Sequence, residues 1–161
     1  MQLNPYLNFD GQCRAAFEFY QQCLGGEIVT MQTHGESPMA EQVPSEWRER
    51  ILHARLIVGD AVLMGSDSPP QAHERPQGFA VSLNVDSPAD AERMFAALAT
   101  GGTVSMPLQE TFWGSRFGML VDLVWHAMDD QLRAADLIPR TAPSCQVTRS
   151  SCHPVILSGC H

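Results

Sequence analysis

A chain of 161 residues with 44% apolar and 17% charged residues is long enough to bury a core and has the make-up of a soluble globular protein. Its formal net charge of −8, with basic residues scattered and densest only at Arg48, Arg50 and Arg55, excludes a nucleic-acid groove or an anionic membrane surface, both of which need a basic footprint. No apolar run approaches the roughly 20 residues of a membrane span, and the opening MQLNPYLNFDG has neither region of a signal peptide. The expectation is a cytoplasmic protein whose five cysteines stay reduced.

The first predicted element is an alternating strand, PYLNF. A helix follows, with Cys13, Ala16, Phe17, Tyr20 and Leu24 on one face. It stops at Gly25-Gly26, where a residue without Cβ can take the left-handed cap conformation. The strand EIVTMQT comes next, then a polar loop over 34–49. ILHARLIVGDAVLMGSD reads as a hairpin turning at Gly59-Asp60. The unit is βαβββ, and SPPQAHERPQG connects it to a second unit.

Sliding the chain by 76 positions lays LNFDGQCRAAFEFYQQCLGGEI over LNVDSPADAERMFAALATGGTV without a gap. Leu7/Leu83, Asn8/Asn84, Asp10/Asp86, Ala15/Ala91, Phe19/Phe95, Gly25/Gly101 and Gly26/Gly102 are identical pairs, the mark of an internal duplication. The second copy opens with the strand AVSLNV. Ser87 is its helix N-cap, Pro88 the first helical residue, and Asp90 sits at capping-box spacing. Ala91, Met94, Phe95 and Leu98 share a face; Gly101-Gly102 ends the helix, and TVSMPLQ and GSRFGMLVD follow as strands. A fourth strand should come next. Instead LVWHAMDDQLRAADLIP spaces Val124, Met128 and Leu132 for a helix.

Two βαβββ units in one chain resemble the vicinal oxygen chelate superfamily, the group of glyoxalase I and the bleomycin-resistance proteins. NPYLNFDGQCRAAFEFY, CLGGEI, HARLIVGDAVLMGSD, PQGFAVSLNVD and GGTVSMPLQETFWGSRFGMLVD look like its PhnB-like branch, often labelled demethylubiquinone methyltransferase-like. The resemblance covers residues 1–122. It implies an α+β fold in which modules 1–68 and 78–122 form a cupped mixed sheet, the second module lacking its usual last strand. It also implies a small-molecule ligand in the cup and a homodimer.

Members of that branch usually end in a strand of the type Phe-Gly-x-Pro-Trp-Met-Ile-Asn. Reading the codons of Val124 to Leu132 one base out of frame forces Gly at the Trp125–His126 junction and Trp at the Met128–Asp129 junction. The codons around them permit Pro, Met, Ile and Asn in order, and Leu137–Ile138 permits a stop. Residues 123–161 are therefore read as a divergent, out-of-frame tail, poorly ordered or helical.

His53 alternates with Arg55 on one strand face, as a ligand or base on one reading and a structural histidine on the other. Met64, Ser66 and Asp67 end the adjoining strand and could line the same cavity, although Asp67 also suits a turn before Pro69 and Pro70. Gln109, Glu110, Phe112, Trp113 and Arg116 lie close together in sequence; rings with a few polar groups build small-molecule pockets. Equally, the rings suit a core or dimer contact and Arg116 a surface ion pair.

Metal-dependent relatives place His, Gln or Glu on facing strands. Here the opening strands offer Tyr6, Asn8, Ser82 and Asn84, and the final strand that commonly brings a Glu is absent. No metal or other cofactor is expected. The alternative is a metal-dependent lyase, dioxygenase or resistance-type enzyme using His53 and Glu110. The tail's Cys145, Cys152, His153, Cys160 and His161 match no common zinc spacing. Without a glycine-rich cofactor turn or a doubly wound sheet, methyl transfer is disfavoured.

Overall fold

A computed structural model of the chain describes residues 2–69, 73, 78–111, 116–125 and 155–159. They fall into two compact units, Met1–Arg75 and Pro76–His161.

The first module runs β1 (Tyr6–Phe9), α1 (Cys13–Leu24), β2 (Glu27–Thr33), three single 3-10 turns between His34 and Trp47, β3 (Ile51–Val58) and β4 (Ala61–Asp67). Its sheet order is β1-β4-β3-β2, with β1 parallel to β4 and the other pairs antiparallel. Side chains alternate between sheet faces, and α1 covers one of them. Leu7, Phe9, Ala54 and Leu56 are buried there with Cys13, Ala16, Phe17, Tyr20 and Cys23 of the helix. The fit is close at Gly65, where a Cβ would stand 2.9 Å from the Phe17 ring. At Gly26, φ is +87° and a Cβ would lie 2.1 Å from the Ile57 carbonyl oxygen, so this helix stop admits only glycine.

The second module repeats the plan with β5 (Ser82–Val85), α2 (Pro88–Ala99), β6 (Thr103–Glu110), β7 (Arg116–Val121) and β8 (Val155–Gly159), in the order β5-β8-β7-β6. The Ser87 side chain accepts from the Asp90 amide at 3.0 Å, as the capping spacing predicts. Ala91, Phe95 and Leu98 are buried with Leu120.

No strand follows β7 directly: residues 123–125 begin a helical turn, held at its start by Asp122, whose Oδ1 accepts from the Val124 amide at 2.9 Å. The place of the missing strand is not empty, however. β8, from the far end of the tail, pairs parallel with β5 and antiparallel with β7, as β4 does with β1 and β3. The expectation of a poorly ordered or helical tail is corrected at 155–159. Val-Ile-Leu has the β-preference to occupy an open slot between two strand edges. The helix expected through Met128 and Leu132 lies outside the described residues, as do the tail's cysteines and histidines.

The duplication also holds with one adjustment. The opening strands start at Tyr6 and Ser82, but the helices start at Cys13 and Pro88, one residue closer. Ala91 and Phe95 are therefore the counterparts of buried Ala16 and Tyr20. Their identical partners in the ungapped alignment, Ala15 and Phe19, lie outside the buried set.

Candidate functional site

The face of the first module's sheet turned away from α1 is polar, and the strand registers place its side chains in two rows. In one, Tyr6 of β1 pairs with Met64 of β4, Met64 with Arg55 of β3, and Arg55 with Thr30 of β2. One step along, Asn8 pairs with Ser66, and His53 with Gln32. Ala54 between His53 and Arg55 is fully buried on the α1 side, which fixes the alternation.

Within this face the Tyr6 and His53 rings stack, their centroids 5.9 Å apart and their planes 25° from parallel. The Tyr6 hydroxyl lies 3.4 Å from His53 Nδ1. Ser66 Oγ donates a long 3.5 Å bond to Asn8 Oδ1. Tyr6 remains 45% exposed, so its ring is open to an incoming group. Arg55 is half-buried, and its Nε is buried with no hydrogen-bond partner among the described residues. The rows carry phenol, imidazole, guanidinium, amide and hydroxyl groups around one thioether, with no carboxylate. Such a surface can hold a planar, polar small molecule by stacking and hydrogen bonds.

Asp67 belongs to the other face. It pairs with buried Phe9, is only 6% exposed, and spends both oxygens on backbone amides. Oδ1 accepts from Cys13 N at 3.0 Å, at the start of α1, and Oδ2 from Ile51 N at 2.8 Å, at the start of β3. The geometry gives it a structural role in place of the cavity role considered from sequence. Burial, together with the Asp67 carboxylate, pushes the Cys13 thiol far above its ordinary range, so Cys13 is an inert core thiol.

In the second module Arg116 ion-pairs with Glu92 of α2. Gly118, two residues on, packs so closely under α2 that a Cβ would come within 2.7 Å of the Phe95 ring. Arg116 and its cross-strand partner Glu110 are thus on the helix side, which takes Arg116 out of an open-face pocket and Glu110 with it. Gln109 pairs with Phe117 on the opposite, open face. Phe112 and Trp113 lie outside the described residues.

Of the residues singled out from sequence, His53, Arg55, Met64 and Ser66 share the open face. Tyr6 and Gln32 complete their surroundings. Gln32 does not stand out in sequence and Tyr6 does so only as an opening-strand position without a histidine, because strand register alone reveals their neighbours.

A metal of the kind found in metal-dependent relatives does not fit this donor set. The open-face positions of β1 and β5 carry phenol, hydroxyl and amide groups in Tyr6, Asn8, Ser82 and Asn84, where divalent transition ions favour imidazole or carboxylate. Among the described residues no three His, Cys, Asp or Glu side chains gather to hold an ion. Nor is any described helix long and apolar enough to cross a membrane.

Comparison with known proteins gives a consistent result. The family model for the Glyoxalase/Bleomycin resistance protein/Dioxygenase superfamily matches residues 2–131. Protein YjdN of Escherichia coli is 35% identical over 130 residues, covering 76% of this chain and 88% of YjdN. A Pseudomonas aeruginosa protein of known crystal structure is 39% identical and superposes with a TM-score of 0.74, covering 99% of this chain and 97% of that one. The PhnB protein of Bacillus cereus, which bears the name of a 3-demethylubiquinone-9 3-methyltransferase, shares the fold at 17% identity, with a TM-score of 0.67 over 99% of this chain and all of that one.

Proposed function

The chain belongs to the glyoxalase/bleomycin resistance protein/dioxygenase superfamily, and on that footing we propose that it binds a small organic molecule on the open face of its sheet, without a resident metal. The observation that carries this reading is the stacked Tyr6–His53 pair beside Met64 and Arg55 on the face α1 leaves uncovered. Gln109 and Phe117 give the second module's open face one polar and one aromatic group for the same use. A flat ligand would lie against the stacked Tyr6–His53 pair, Met64 would adapt to its outline, and Gln32 and Ser66 would orient polar atoms. Binding, the use that stacked rings among polar groups support, is the function assigned.

The working assembly in this reading is a homodimer, the arrangement the family resemblance implies. Residues 123–161 are read as an out-of-frame stand-in for the family's own terminus. The forced Gly and Trp junctions support this.

A titration tests the binding reading. Benzyl alcohol and benzoate should each bind saturably to the purified chain, with affinities unchanged by prior EDTA treatment. His53→Ala should weaken both by about ten-fold, the loss of one stacking partner and one polar contact. Binding that disappears with EDTA and returns with added divalent ion would replace this reading with the metal-enzyme one.

A further inference from the structure

Arg55 is the only charged group of fixed sign in the two polar rows, and nothing in the described structure balances it. The chain as a whole carries a net charge of −8. Yet Thr30, Met64, Tyr6, Asn8, Ser66, Gln32 and His53, the other members of the rows, include no carboxylate. Among the described residues the guanidinium forms no ion pair, and its Nε–H is buried without an acceptor.

A half-buried arginine is rarely left so, because removing a charge from water is costly unless a counter-charge and hydrogen bonds replace the lost solvation. An unmet buried donor alone costs about 1–3 kcal/mol. The deficit has a chemical shape. The Nε and adjacent terminal nitrogen of a guanidinium form a planar two-donor edge that matches the two oxygens of one carboxylate. That edge belongs to a side chain of the open-face row, set between Met64 and Thr30. Beside it, across Met64, stands the exposed ring of Tyr6 stacked on His53.

We propose that the open face of the first module is an oxyanion-binding site whose ligand is a small aromatic carboxylate. The carboxylate would take the Arg55 edge, and the ring would lie over Met64 against the Tyr6–His53 pair. This rests on the small-molecule reading above and adds to it the ligand's charge and the residue that selects for it.

The test compares benzoate, benzyl alcohol and inorganic phosphate by calorimetric titration of the full chain, with Arg55→Met and Arg55→Lys variants checked for folding by far-UV circular dichroism. Benzoate should bind at least about ten-fold more tightly than benzyl alcohol, the scale of one charge-assisted contact in a partly solvated site. Arg55→Met should abolish that preference, bringing the two ring compounds to equal affinity, and Arg55→Lys should keep part of it. Phosphate should compete with benzoate in the parent chain, which separates oxyanion recognition from ring contacts. In the parent chain the Arg55 Nε–H resonance should also shift on adding benzoate, a readout that needs no variant.

Equal affinity for the two ring compounds, unaffected by Arg55→Met, would overturn the oxyanion site and leave the small-molecule reading standing. Failure of both ring compounds to bind the parent chain would overturn both.

Discussion

Asp67→Ala is expected to destabilise the first module by about 3–5 kcal/mol, a large share of the roughly 5–15 kcal/mol margin of an ordinary domain. The aspartate is 6% exposed, and its two oxygens are the acceptors for the Cys13 and Ile51 amides. Each such charge-assisted bond is worth about 1.5–3 kcal/mol, and alanine leaves both buried donors without an acceptor. The consequence is not local, because one amide opens α1 and the other opens β3. Asp67→Asn keeps one acceptor but turns an amino group toward the second amide, so about half the loss should follow. Urea denaturation followed by Trp47 fluorescence measures both. A loss below about 0.5 kcal/mol for alanine would show that the tie between α1, β3 and β4 is not made in solution.

The second large effect concerns the tail. In the sheet order β5-β8-β7-β6, β8 is the sole ladder neighbour of β5 among the described residues. Ending the chain at Pro154 removes four register pairs with β5 and five with β7. At a net 0.5–1.5 kcal/mol per hydrogen bond the cost is on the order of 5 kcal/mol or more, a domain's whole margin. The truncated chain should lose the cooperative unfolding of its second module and aggregate through the bared edges of β5 and β7.

Restoring the family terminus by the one-base shift should act in the opposite direction. β4 follows β3 across only Gly59 and Asp60, whereas residues 122–154 intervene between β7 and β8. Shortening that connection to a tight turn lowers the loop-closure cost by about 2 kcal/mol. The restored chain should therefore melt several degrees higher and elute as a dimer. A restored chain no more stable than this one, or a truncated one that unfolds like the full chain, would show that the tail is not a substitute strand.

Much of this architecture is legible in the sequence because its signals are local. Alternation marks β1 and β5, Gly-Gly ends each helix, Ser87 caps α2, and Gly59-Asp60 turns the hairpin. What escaped depends on partners far along the chain. Asp67 resembles a turn residue, since its amide donors lie 54 and 16 positions away. Arg116 suits a pocket or a surface ion pair from sequence, and only the fold decides between them, pairing it with Glu92 on the α2 side. Helical spacing put Ala16, Tyr20, Ala91 and Phe95 on the buried faces, but the ungapped repeat paired Ala91 and Phe95 with Ala15 and Phe19, because one residue moves from the turn before the helix to the turn after it. In the tail, the spacing of Val124, Met128 and Leu132 was the most visible pattern. The five-residue run that fills the sheet, Val155–Gly159, is too short for periodicity to identify.

The site was half visible for a related reason. Alternation places His53 and Arg55 on one face from sequence alone. That Tyr6 stacks on His53, and that Met64 lies between Tyr6 and Arg55, comes from strand order and register. Those properties are fixed by the whole sheet and not by any one strand.

The most direct test of the site is to map where a ligand touches the folded chain. In a nuclear magnetic resonance titration of the isotope-labelled protein with benzoate, the largest shifts should fall on the Tyr6 and His53 rings, the Met64 methyl and the Arg55 side chain. Cys13, Phe17 and Asp67, on the α1 side of the same sheet, should stay where they are. Largest shifts at Glu110 and Arg116, or on the α1 side, would contradict the assignment of function to the open face.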